Sequence, residues 1–153
     1  MFIITAKLSK KRAIAIVLAL AVVITAIIIL AGRHDRAPAT IQAQSTADIA
    51  AYLEGLGWQI SPEPIEVQEI LIPREFDAAY ETYNAMQQEA GFDLARYKGR
   101  PAVRYSWQVL NYPGETEGVV ADVLVSDKQI IGGDIRSVHL DGFIHGLFPN
   151  RST

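Results

Sequence analysis

The residues best suited to chemistry lie near the C-terminal end: Asp134, His139, Asp141 and His145. Two imidazoles and two carboxylates within 12 residues can hold a divalent metal, or form an acid–base pair that works near neutral pH. Their spacing matches no metal motif, and the separation of His139 from His145 suits neither one helix face nor a tight turn. The bland alternative is that Asp134 caps backbone amides and the histidines bond locally. Asn84 and Gln87 are a second candidate patch. They lie one turn apart with Tyr80 and Tyr83 beside them, a spacing that can hydrogen-bond a peptide or a sugar, or equally a neighbouring loop. The spacing of Arg104, Tyr105 and Trp107 puts aromatic rings on a strand. Such rings bind glycans or peptides if open and form core if covered; alternation favours the core. There is no G-x-S-x-G elbow, no phosphate-cradling glycine loop and no H-E-x-x-H. With no cysteine, the chain has no thiol nucleophile, disulfide or cysteine-held metal. No cofactor is implied.

The elements that must position these residues begin after a long apolar run. Of 153 residues, half are hydrophobic, and the excess is concentrated at positions 13–31, AIAIVLALAVVITAIIILA. As a helix this run spans roughly 28 Å, the thickness of a bilayer's hydrocarbon core. Lys7, Lys10, Lys11 and Arg12 precede it and no acid does, whereas Arg33 and Arg36 follow it. The positive-inside bias therefore predicts a cytoplasmic tail (1–12), a transmembrane helix (13–31) and export of the rest. A cleaved signal peptide is the rival reading, with Ala37-Pro38-Ala39 as a small-x-small triplet. Both readings export the remainder.

The exported part holds 10 basic residues and all 17 acids, a net charge of −7. That balance gives no electrostatic reason to bind nucleic acid. Residues 32–45 read as a linker with a flexible reach of roughly 20 Å. Residues 46–153 are long enough for one modest core.

A first helix is capped by Ser45 or Thr46 and carries the stripe Ile49, Tyr52, Leu53 and Leu56. Gly55 and Gly57 end it. Residues 65–72 alternate and then turn apolar, as a strand does. Pro73 opens a second helix over 74–90, and Gly91 closes it. Phe92 and Leu94 can fold back on its last turn. Residues 102–112, 118–125 and 130–138 read as a β-meander, with a turn at Pro113-Gly114 and a tight connection around Asp127-Lys128. Gly132-Gly133 inside the last strand signals a bulge or a close backbone approach. Phe143, Ile144, Leu147 and Phe148 are expected to dock on the core. The order α-β-α-β-β-β predicts an α+β fold: a two-layer domain of antiparallel sheet with the helices on one face.

Several motifs occur in an order that resembles the bacterial domain-of-unknown-function family numbered 4830. They are Tyr52-Leu53 with Gly57-Trp58, Tyr83-Asn84 with Gln87, and Gly91 to Leu94. Tyr97 to Gly99, Asn111 to Pro113, Ile131 to Ile135 and Gly142 to Gly146 complete the set. The resemblance covers roughly residues 50–148 and implies a short protein anchored by one N-terminal helix in a bacterial envelope. It implies no activity and no functional residue. The Asp127-Lys128 turn lacks the glycine that many relatives carry.

The expectation is a non-catalytic, membrane-anchored module outside the cytoplasm. It would bind an envelope protein or a small ligand near the bilayer. The alternative is a small metal-dependent or acid–base enzyme centred on Asp134, His139, Asp141 and His145. A third reading is a structural spacer.

Overall fold

The structure, a computed structural model, describes residues 41–115 and 117–149. The basic tail, the apolar span 13–31 and the linker as far as residue 40 lie outside the described residues. Among the described residues no helix is long and apolar enough to cross a membrane.

The element order is β1 (Ile41–Gln42), α1 (Thr46–Gly55), β2 (Glu66–Leu71), α2 (Ala78–Glu89), a 3-10 turn (Leu94–Tyr97), β3 (Pro101–Gln108), β4 (Val119–Ser126), β5 (Gln129–Ser137) and β6 (Ile144–Gly146). The strands form one antiparallel sheet in the order β1-β5-β4-β3-β2. β6 pairs with β5 beyond the point where β1 stops, so two short strands share one edge. The fold is a small α+β domain with two helices.

α1 begins where a capping box allows it. Ser45 Oγ accepts from the Asp48 N–H at 3.3 Å, and Asp48 Oδ2 accepts from the Ser45 N–H at 2.9 Å. Gly57, with φ +99°, lets the chain reverse after it. α2 starts four residues later than the proline at 73 suggests. Asp77 is the N-cap, and its Oδ1 accepts from the Tyr80 N–H at 2.8 Å. That side chain satisfies the free amides of the first turn better than anything at 73–76.

β4 and β5 join through a two-residue turn in which Asp127 and Lys128 both have positive φ, 49° and 61°. This is the backbone twist that suits a tight hairpin, reached here without glycine. The bulge expected near Gly132-Gly133 occurs one residue earlier. Leu124 pairs with Gly132 and Val125 with Ile130, which leaves Ile131 as the extra residue.

Three expectations need correction. The last residues of the expected linker belong to the sheet: Ile41 pairs with Ile130, and Ala43 is buried with its N–H bonded to the Lys128 carbonyl. The helices lie on opposite faces, so the sheet is covered from both sides rather than in two layers. Ala121, Val123 and Ile135 pack with Ile49 and Leu53 of α1. Leu124, Ile131 and Ala102 pack with Tyr80 and Tyr83 of α2. Alternation along β4 puts these two sets on opposite sides. Of the four C-terminal apolar residues, Leu147 is buried and Phe143 half-buried, whereas Ile144 and Phe148 are 54% and 47% exposed.

Candidate functional site

α2 is held to the sheet by polar side chains. Gln87 is fully buried and bonds both backbone groups of Gly133: its Nε2 donates to the carbonyl at 3.0 Å, and its Oε1 accepts from the N–H at 2.8 Å. Gly133 lies on the β5 edge between the ends of β1 and β6. The side-chain amide therefore stands in for a missing strand neighbour. Glycine is required beneath it. A Cβ on Gly132 would lie 2.8 Å from Gln87 Oε1, and one on Gly133 would lie 2.3 Å from the Asp122 carbonyl and 2.7 Å from Leu147 Cδ1. Asn84 is also buried. Its Oδ1 accepts from the Leu94 N–H at 2.8 Å, and its Nδ2 donates to Asp93 at 3.2 Å. Both amides serve neighbouring backbone or loop groups.

Asp134 belongs to a buried seam on the same face. The strand register aligns Glu66, Ser106, Asp122 and Asp134 in one row across β2, β3, β4 and β5. Ser106 Oγ donates to Asp122 Oδ1, and Arg136 Nε donates to Asp122 Oδ2 at 2.7 Å. Asp134 Oδ1 accepts from the Tyr83 hydroxyl at 2.6 Å, while its buried Oδ2 has no partner among the described residues. Burial pushes the Asp134 carboxyl up to about 6, and the Asp122 charge adds to this; the Tyr83 bond, Arg136 and Arg104 oppose it. Burial, then Asp134, raises the Tyr83 phenol. Neither Asp122 nor Ser106 stands out in the sequence as a site. A lone acid inside the valine-rich run 119–125 was the available signal, since a buried carboxylate needs partners.

His145 is on the other side of the sheet. Asp134 pairs with Gly146 and Ile135 with His145. Successive side chains alternate, so the Asp134 carboxylate and the His145 ring point to opposite faces. His139 is exposed beside Gly118, and Asp141 is exposed. No hydrogen bond joins any two of these four residues. Among the described residues no group of three or more His, Asp or Glu is placed to hold a metal ion.

Around His145 the chain instead builds an aromatic stack. Trp58 lies 5.9 Å from Tyr112, and Tyr112 4.5 Å from Phe143, each pair near parallel. The His145 ring lies 5.7 Å from Phe143 and 5.8 Å from Tyr112. Its Nδ1 lies 2.7 Å from the Gly146 carbonyl. A carbonyl only accepts, so Nδ1 carries the hydrogen, and in the neutral ring Nε2 accepts from the Tyr112 hydroxyl at 3.1 Å. Trp58 Nε1 donates to the Leu147 carbonyl at 2.7 Å. Asn111 bonds the Gln59 N–H and the Gly57 carbonyl at 2.8 and 2.9 Å. The polar atoms of the stack are thus occupied internally.

A groove of about 800 Å³ opens beside this stack, between the C-terminal ends of α1 and α2. Leu56, Met86, Ile144 and Phe148 form its apolar walls, with Glu89 and His145 among them. A smaller cleft of about 320 Å³, bounded by Trp58, Asn111 and Tyr112, adjoins it at His145 and Pro149. Gly57-Trp58, Asn111 to Pro113 and Gly142 to Gly146 come from distant parts of the chain and converge here.

Fold and site together define a small α+β domain with an aromatic-lined groove at one sheet edge. The family described as a domain of unknown function (DUF4830) matches residues 52–135, more than half of the chain, and the chain belongs to that family. The match ends before β6. No curated protein and no solved structure matches the chain.

Proposed function

We propose that this chain is a membrane-anchored module exposed outside the cytoplasm, and that it binds a ligand or envelope partner in the groove beside His145 without transforming it. The anchor and the export rest on the apolar run 13–31 and its basic N-terminal flank. The observation that carries binding is the groove itself. Its volume suits a small molecule or a few side chains of a partner. The walls are apolar apart from Glu89, and both ring nitrogens of His145 are already paired, which favours contact with an apolar or aromatic group over proton transfer at the imidazole.

The test is an in-cell crosslink and pull-down on the full-length chain. The controls are the same anchor and linker without residues 46–153, and the full chain carrying Ile144→Asp with Phe148→Asp. Both positions are about half exposed, so the fold tolerates the change. Capture by the native chain, lost in both controls, supports the reading. Equal capture by the double variant sinks it. The alternative, an enzyme centred on Asp134, His139, Asp141 and His145, predicts divalent-metal binding by calorimetry and loss of function in His139→Ala.

A further inference from the structure

The opposite edge of the sheet is formed by β2, which among the described residues bonds to β3 alone. The phase of that ladder is fixed at one end. Ile72 N–H donates to the Arg100 carbonyl at 3.0 Å, while the Pro101 carbonyl accepts from Ser126 Oγ on β4. Hydrogen-bonded and non-bonded pairs alternate in an antiparallel ladder. Glu66, Gln68 and Ile70 therefore bond β3, and Val67, Glu69 and Leu71 turn their N–H and C=O groups to the open side.

Edges of this kind are commonly blunted by charged side chains, proline or a bulge. Between Glu66 and Leu71 β2 has neither proline nor bulge and is charged only by its two glutamates; Pro64 and Ile65, whose N–H also meets the Ser106 carbonyl at 2.7 Å, lie just before it. On the face it shares with Tyr105 and Val103 its apolar side chains are open: Val67 and Leu71 are 54% and 64% exposed. Glu69 lies between Val67 and Leu71 on that face. Among the described residues no cation lies within ion-pair distance of it; Glu66, on the other face, reaches Arg104 at 3.4 Å. A second copy of this chain would bring to that face a further Glu69 and no cation from its own β2. The exported part as a whole has a charge of −7. The charge of the edge calls for a partner of the opposite sign.

We propose that β2 docks an extended segment of a partner protein, added as a further strand, with a lysine or arginine facing Glu69 and aliphatic side chains two residues away on each side. Main-chain bonds to Val67, Glu69 and Leu71 hold the segment, and the cation sets its register. This edge lies across the sheet from the groove and does not depend on it.

The probe is a labelled peptide Thr-Val-Thr-Lys-Thr-Val-Thr, with a second peptide carrying glutamate in place of lysine. Fluorescence anisotropy is measured on the full chain in detergent. The lysine peptide is expected to bind at least tenfold more tightly than the glutamate peptide, and Glu69→Lys is expected to invert that order. Glu69→Pro removes an outward N–H that the β3 ladder does not use. It should abolish binding and leave the denaturation midpoint unchanged. The proposal is overturned if the lysine peptide fails to bind at millimolar concentration, if the two peptides bind alike, or if Glu69→Pro, still folded, binds as before. It is also overturned if sedimentation shows self-association that Glu69→Pro abolishes, since the occupant is then a second copy.

Discussion

On one face of the sheet Trp107, Val123 and Ile135 meet Ile49 and Leu53 of α1 through apolar contact alone. On the other face Ser106, Asp122 and Asp134 lie buried near Tyr83 and Gln87 of α2. Apolar burial is strong but has no direction, so it holds α1 without fixing its register. Buried hydrogen bonds are directional and costly to leave unmade, so Gln87 and Tyr83 fix where α2 sits. The consequence reaches the groove. Met86, Glu89 and Ala90, at the end of the latched helix, form one of its walls. The polar face thereby positions a surface that the apolar face lines.

The sharpest way to break this contrast is Gly133→Ala. The added methyl has no room against the Asp122 backbone, and the shift it forces also displaces both bonds from Gln87. We expect a loss of about 4 kcal/mol or more, or no folded protein, by chemical denaturation. Gln87→Leu keeps nearly the same volume but orphans two buried backbone groups. It should lose about 2–4 kcal/mol. Exchange of α2 amides should rise while α1 stays protected.

The seam also sets a pH dependence. The folded Asp134 carboxyl titrates near 6 against an ordinary 3.8, so the folded state binds the proton more tightly than the unfolded chain. Its contribution to stability is complete below the ordinary value and is lost as pH rises through 6. Asp134→Asn keeps an acceptor for Tyr83 without the buried charge. The variant should exceed the native chain in stability by roughly 2–3 kcal/mol at neutral pH and above, and the gain should vanish under acid conditions. A gain that does not depend on pH would contradict the assignment. The smallest effect on stability belongs to the groove. Ile144→Asp should change the unfolding free energy, read by chemical denaturation, by no more than about 0.5 kcal/mol, as a surface change does.

Local features were readable from the sequence because local rules create them. The cap at Ser45, the stripe of α1, the stop at Gly91 and the glycine pair in β5 all act within a few residues. Asp77 is masked as a cap because Pro73, four residues earlier, offers a start signal of its own. β1 and β6 are two and three residues long, too short for alternation to register, and only β5 makes them strands. The candidate site was less legible, since it depends on cross-strand register. Asp134 and His145 look like partners along the chain, yet the pleat sends them to opposite faces. Tyr112 and Trp58, separated by more than fifty positions, meet only because β3 and the turn after α1 bring them to His145.

The proposed binding site is the groove beside His145. A photo-reactive amino acid at position 144 of the full-length chain, irradiated in cells, tests it directly. Mass spectrometry reads any added mass, protein or small molecule, and the same probe at Glu81, exposed on α2, is the control. A defined product is expected from position 144, absent from position 81 and lost when Phe148→Asp is added. No product from position 144, or the same products from both positions, contradicts it.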